Sequence, residues 1–217
     1  VLIEEIVDCR AIQGASWAVD LETTGLDPEK CEILTGAVSV GDQTWVGQVS
    51  SPEDLRKLAD CLTHAQPLIV HNVRFEGAWI ERHLGREIPA VRDTMLMAAR
   101  VDPTKPVGLD ACVTRYLPEL AGYKAVTAGG MKDAASLPIK DLLTRNALDA
   151  YATKRLHDTL GVKLHEMGVS SETILEDSRL AMVVERMRIK GMWVSEEALR
   201  DLEVVCEKQK TTAVDAC

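Results

Sequence analysis

Short apolar runs bounded by turn residues fill the first half of the chain, and longer runs with helical spacing fill the second. Ser16–Asp20 (SWAVD) is apolar and leads into Thr23-Thr24-Gly25, which predicts a buried central strand. Cys31–Val40 and Gln43–Val49 alternate on either side of Gly41-Asp42, a pair suited to a hairpin turn. Residues 52–64 begin at Ser-Pro and place Leu55, Leu58, Ala59 and Leu62 at helical spacing. Pro67–Val70 predicts another buried strand, ending at His71-Asn72. Helices are expected over residues 75–84, 93–101 and 109–117, the last stopped by Pro118. Residues 121–136 hold Gly122, Gly129 and Gly130 without periodicity and predict a mobile surface loop. A long helix should follow Pro138 and run through Leu142, Ala147, Leu156 and Leu164 until Gly168 stops it.

Beyond Ser170, residues 172–190 predict an amphipathic helix with Leu180, Val183, Val184 and Met187 on one face. Gly191 closes it, and Ser195 is the expected N-cap of a last helix, with Glu196 and Glu197 in its first turn. Strands first and helices interleaved later describe an α/β domain, a sheet with helical cover. The expected division is a domain over residues 1–170 and a helical extension over residues 171–217.

Composition changes this picture little. The 217 residues are 46% hydrophobic, enough for a core of ordinary size. No run approaches the roughly 18 apolar residues of a membrane span, and no basic start precedes an apolar segment. The first residue is Val1 and not Met, which hints at a trimmed fragment. Six cysteines are scattered without a C-x-x-C pair, which favours reduced thiols in a cytoplasmic setting over a zinc site or a disulfide framework. The net charge of −9 counts against a broad basic footprint for nucleic acid. It does not count against a site that hydrolyses phosphodiesters with divalent metals, because there clustered carboxylates are required and the ions supply the positive charge.

The chemistry-bearing segment is Trp17-Ala-Val-Asp20-Leu-Glu22-Thr23-Thr24-Gly25-Leu26. Alternate strand residues share a side, so Asp20 and Glu22 can converge on one metal. A bare Asp-x-Glu is more often a pair of solvated acids at a strand end. The whole string, however, resembles the first motif of the DEDD 3′→5′ exonucleases, whose fold is similar to ribonuclease H. The resemblance implies a mixed sheet flanked by helices. It continues at Leu68-Ile-Val-His71-Asn72-Val-Arg74-Phe75-Glu76, where Glu76 stands for the family's usual Asp. Read without the resemblance, Glu76 is an acid favoured by the dipole at a helix start. Asp93-Thr94 resembles the family's Asp-Thr step, in which Asp93 is expected as a helix cap and not as a ligand. The third motif is matched around Asp149 in Arg145-Asn146-Ala147-Leu148-Asp149. One turn before that Asp the family has a Tyr that orients the attacking water; here the position is Arg145. Tyr151 cannot replace it, since two residues along a helix turn by about 200°.

The resemblance implies that Asp20, Glu22 and Asp149 hold two divalent ions, Mg²⁺ or Mn²⁺, with Glu76 acting through water. Arg145 stays protonated and cannot be a base, but it can meet the scissile phosphate. It also opposes metal binding, by about 3 kcal/mol per metal charge at about 6 Å and an effective dielectric near 20. Thr23, Leu26, Asn72 and Phe75 are assigned to the 3′ end of single-stranded DNA, with Leu26 and Phe75 against frayed bases. Read on their own, Leu26 and Phe75 are core residues. Arg74, Arg82, Lys124 and Lys132 are further candidates for phosphate contact. Glu176–Val194 resembles the helical passage from exonuclease to polymerase thumb in family A DNA polymerases, which implies proofreading and a polymerase domain as partner. Two alternatives stay open: a weakened or silent exonuclease fold that binds a strand or braces a polymerase, and an RNA 3′ exonuclease of the ribonuclease D type.

Overall fold

The computed structural model describes residues 2–5, 16–64, 67–85, 88, 90–123 and 134–215. Among these, six strands form one mixed sheet in the order β1-β4-β3-β2-β5-β6. The strands are β1 (Leu2–Glu5), β2 (Trp17–Thr23), β3 (Ile33–Val40), β4 (Gln43–Gln48), β5 (Leu68–Val70) and β6 (Val91–Asp93). The expected hairpin is β3–β4, turning at Gly41 with its φ of 60°. β2 runs antiparallel to β3 and parallel to β5, so it lies in the middle of the sheet. β1 was not anticipated; its four residues are too few to establish a period.

The helices keep close to their apolar spacing. They are α1 (Pro52–His64), α2 (Val73–Leu84), α3 (Thr94–Val101), α4 (Leu109–Tyr116), α5 (Ile139–Glu166), α6 (Ser171–Lys190) and α7 (Glu196–Asp215). Ser195 caps α7 by accepting the Ala198 amide at 3.3 Å. The stretch expected as a loop, residues 121–136, ends in a short 3-10 turn at Ala134–Ser136; another such turn, Pro118–Leu120, comes just before it, and residues 124–133 lie outside the described residues.

Each face of the sheet has its own cover. Trp17, Val19, Leu21 and Val38 pack with Leu58 and Leu62 of α1 and Trp79 and Ile80 of α2. The opposite face is lined by small residues: Ala37 and Val46 meet Ala147 and Ala150 of α5. Side chains this short let α5 settle close to β2 and β3. The far half of α5 packs through Leu156, Leu160 and Leu164 on Met97, Cys112 and Val113 of α3 and α4.

Contacts divide the chain into two compact units, Val1–Glu185 and Arg186–Cys217. α6 belongs to the first unit as far as Glu185, and this part buries Ile174, Ser178, Met182 and Glu185. The face expected to be apolar is another one: Leu180, Val183 and Val184 are exposed. Helical spacing located the stripe but not the side that is covered. A second correction concerns the thiols. Cys61 is disulfide-bonded, whereas Cys31, Cys112 and Cys206 are free. Scattered spacing argues against a framework but cannot exclude one pairing between distant segments.

One carboxylate ties the helix starts together. Asp93 caps α3 by accepting the Met95 amide at 2.8 Å, as expected, and it also accepts the Asn72 and Val73 amides at 2.9 and 2.8 Å. Asn72 has a φ of 86°, a left-handed conformation that Asn tolerates better than most residues. Asp93→Ala would leave three amides at two helix starts without their acceptor. The expected cost is at least about 2 kcal/mol of unfolding free energy, read from urea denaturation, with Asp93→Asn losing less.

Candidate active site

The site is built from β2, the starts of α2 and α4, and the middle of α5. Asp20 and Glu22 project to the α5 side of β2, opposite Ala37 and Thr35 of β3. The register shifts between Glu22 and Thr23, and the strand then leaves the sheet. The turn beyond it is held by its own side chains. Thr23 Oγ1 donates to the Gly25 carbonyl at 2.6 Å, and Thr24 Oγ1 accepts the Glu32 amide at 2.9 Å. A Cβ at Gly25 would come within 2.7 Å of Cys31 Sγ, so a side chain there would require Cys31 to shift. Its tip carries Leu26, 83% exposed.

From the other side, α5 presents Arg145, Asn146 and Asp149, which lie one turn apart on one helical face. Asp20, Glu22 and Asp149 bring carboxylate oxygens within 4.8 Å of one another, close enough for a shared metal ion. They line a cleft of about 380 Å³ together with Glu76, Arg145, Leu26 and Phe75. Glu76 is not among the three convergent acids, but it stands in the same cleft and is 3% exposed, with Oε2 lacking a hydrogen-bond partner among the described residues.

Each convergent acid has a different neighbour. Asn146 Nδ2 donates to Asp20 Oδ2 at 2.7 Å. Arg145 Nε lies 3.0 Å from Glu22 Oε1. That contact is an ion pair without an aligned N–H, and Arg145 Nη1 also makes no hydrogen bond among the described residues. The Tyr123 hydroxyl donates to Asp149 Oδ1. Asn146 and Tyr123 were not anticipated. Asn146 had a signal, a polar residue three before Asp149 on its own face of the helix. Tyr123 had none, because it arrives from another element.

Of the residues assigned to a nucleic-acid end, Thr23, Leu26 and Phe75 line the cleft. Phe75 is half-buried and also packs on Trp79, with ring centroids 5.9 Å apart. Asn72 is not one of the lining residues; its amide is held by Asp93. Arg74 pairs with buried Glu185 at 3.1 Å and Arg82 with Glu29 at 2.9 Å. Lys124 and Lys132 lie outside the described residues.

The profile of the 3′-5′ exonuclease family matches residues 2–165. This chain belongs to that family. It is an exonuclease of the DEDD type with the ribonuclease H-like fold. No curated protein matches its sequence. Among solved structures, Brucella melitensis NrnC is 20% identical over 88% of this chain and 94% of its own, with a TM-score of 0.72. Pol1 of M. smegmatis, solved with DNA primer-template and dNTP, is 21% identical over 94% of this chain and 33% of its own, with a TM-score of 0.66. The catalytic core of Trypanosoma brucei RRP6 is 16% identical over 78% and 47%, with a TM-score of 0.61. At these identities the likeness is one of fold.

Exonucleases of this family work with two divalent ions, Mg²⁺ or Mn²⁺. The donor set here fits such ions. It is all oxygen, it converges, and it includes a buried Glu76 oxygen with no other hydrogen-bond partner among the described residues. Without a cation, burial holds Glu76 well above the ordinary carboxylate range, and the charges of Asp20, Asp93 and Asp149 add to the shift. A carboxyl raised in the folded state stabilises most below its unfolded value near 4.5, and that stability is lost as pH climbs through the folded value. In EDTA, the unfolding free energy of this exonuclease should therefore fall as pH rises from about 5 to about 8, and Glu76→Gln should flatten the fall. Added Mg²⁺ should restore stability most at the upper end, because binding displaces the Glu76 proton. Urea titrations at three pH values check all three statements.

Proposed function

We propose that this exonuclease removes nucleotides from DNA 3′ ends as a proofreading domain. Asp20, Glu22 and Asp149 would be the metal ligands, and Glu76 would act through water. The observation that carries this is the convergence of three carboxylates on the floor of a cleft whose rim holds Leu26 and Phe75. Two bound divalent ions supply a nucleophile at neutral pH and charge for the phosphate oxygens. The chain's own residues do the rest. Asn146 fixes Asp20. Leu26 and Phe75 pack on the terminal bases, a contact that tolerates any sequence. Thr23 and Asn72 place the strand's backbone. Arg145 swings from Glu22 to the scissile phosphate, where a guanidinium is well matched.

DNA is favoured over RNA by the helices after residue 170. We assign residues 1–170 to the exonuclease proper and residues 171–217 to the passage into a polymerase domain. The exposed Leu180, Val183 and Val184 support a covering partner there. The likeness to a third of the Pol1 chain points the same way. We assign the protein to the cytoplasm as part of the same reading. No helix among the described residues is long and apolar enough to cross a membrane. A second reading has its own observation: the Arg145–Glu22 pair puts a fixed cation where a metal must bind, which favours a silent, strand-binding module.

The test is cleavage of 5′-labelled single-stranded DNA and RNA of one sequence, in Mg²⁺ or Mn²⁺. The expected result is a ladder shortening from the 3′ end, faster on DNA. Asp20→Ala should slow it by more than about 100-fold, since partners behind a ligand already cost about 10- to 100-fold. Faster loss of RNA would make the enzyme an RNA exonuclease. Cleavage by Arg145→Tyr alone would establish the silent module.

A further inference from the structure

We propose that Tyr123 is the positioning residue of Asp149, supplied to the acidic cluster from outside the helix that carries it. The inference rests on the reading of Asp149 as a metal ligand. α5 brings a guanidinium, Arg145, to the turn before Asp149, and that cation lies against Glu22. The hydroxyl at Asp149 comes instead from residue 123, just beyond the 3-10 turn that succeeds α4. Among the described residues, the three convergent acids meet partners from two sources: Asn146 and Arg145 from α5, and Tyr123 from the α4 side.

The carboxylate torsion of an Asp is broad, with no steep well to hold it. Facing Asp20 and Glu22 across less than 4.8 Å, an unrestrained Asp149 carboxylate gains by turning away from them. A phenol donating to Oδ1 fixes the plane of the carboxylate and keeps it turned toward the cluster. A phenol also suits the position because it is a donor without charge. It steadies the carboxylate and adds no cation to compete with a metal ion, in contrast to Arg145 beside Glu22. Partners of this kind, behind a ligand, set its orientation and its affinity for metal.

The experiment is Mn²⁺ binding to the full chain, monitored by electron paramagnetic resonance, in the natural sequence, Tyr123→Phe, Asp149→Asn and the double variant. Phenylalanine keeps the ring and removes the hydroxyl, and melting curves check that each variant folds. Tyr123→Phe should weaken Mn²⁺ binding by about 10-fold or more. In the Asp149→Asn background the same change should alter binding by less than about twofold, because the two residues act as one unit. Should Asp149→Asn weaken binding while Tyr123→Phe changes it less than threefold or tightens it, the positioning role falls and the metal-ligand reading stands. An equal loss from Tyr123→Phe in both backgrounds would show a merely structural tyrosine and overturn the role as well. Unchanged binding in Asp149→Asn would overturn both readings together.

Discussion

Asp20, Glu22 and Asp149 hold oxygens within 4.8 Å of one another, where two unit charges at an effective dielectric near 20 repel by about 3 kcal/mol. Metal ions relieve that repulsion, but the chain must also fold before they arrive. The structure answers acid by acid. Asp20 receives an amide hydrogen from Asn146, Glu22 a guanidinium from Arg145, and Asp149 a hydroxyl from Tyr123. Glu76, buried deepest, is the acid that burial and its neighbours' charges push toward its neutral form. None of these answers uses a net pair of full charges except at Glu22. The site can therefore be assembled without a metal and still be open to one.

Bringing the acids together is the work of packing elsewhere. α5 reaches β2 because Ala37, Ala147 and Ala150 leave no bulk between helix and sheet. At the same level Leu21 and Val19 turn to the other face and anchor the strand in the core with α1 and α2. The start of α2, which fixes Phe75 and Glu76, depends on Asp93, whose carboxylate holds the Asn72 and Val73 amides together with the cap of α3. Burial raises the Asp93 carboxyl even though its backbone partners favour the ionised form. One acid outside the cleft thus sets where an acid inside it can stand.

This division explains what the sequence discloses. Asp20 and Glu22 are legible because a strand's period of two puts them on one side, whereas Asp149 is legible only through the resemblance of its segment to the family's third motif. Asp93 is legible as a cap, since capping is local; its grip on α2 is not, because those amides lie 20 and 21 residues away. Asn146 shows only as a polar residue on the helical face of Asp149; its partner Asp20, 126 residues away, and the pairing of Tyr123 with Asp149, 26 residues apart, leave no mark on local pattern. The buried side of α6 was hidden for a related reason. Its covered face contains Ser178 and Glu185, and the latter is buried against Arg74 of α2, a partner 111 residues away. Apolar spacing alone therefore pointed to the opposite side.

The pairing of charges also bears on how a negatively charged chain would meet a polyanion. Arg74 and Arg82, the described basic residues nearest the second motif, are already paired with Glu185 and Glu29. The exposed Arg82–Glu29 pair is weak and Arg74 is held by the buried Glu185, and together they leave no concentrated positive patch at the cleft among the described residues. Arg145 is the arginine that lines it, and it is engaged with an acid that the metal reading also claims. On the proposed reading, Glu22 would hold a cation in place of the guanidinium, and Arg145 would then turn to phosphate. Metal and strand would bind cooperatively through this one side chain, each lowering the cost of the other. On that view Arg145 is not simply a lost tyrosine. It would couple the charge that the acids demand to the charge that the substrate brings, while Asp149 takes its hydroxyl from Tyr123.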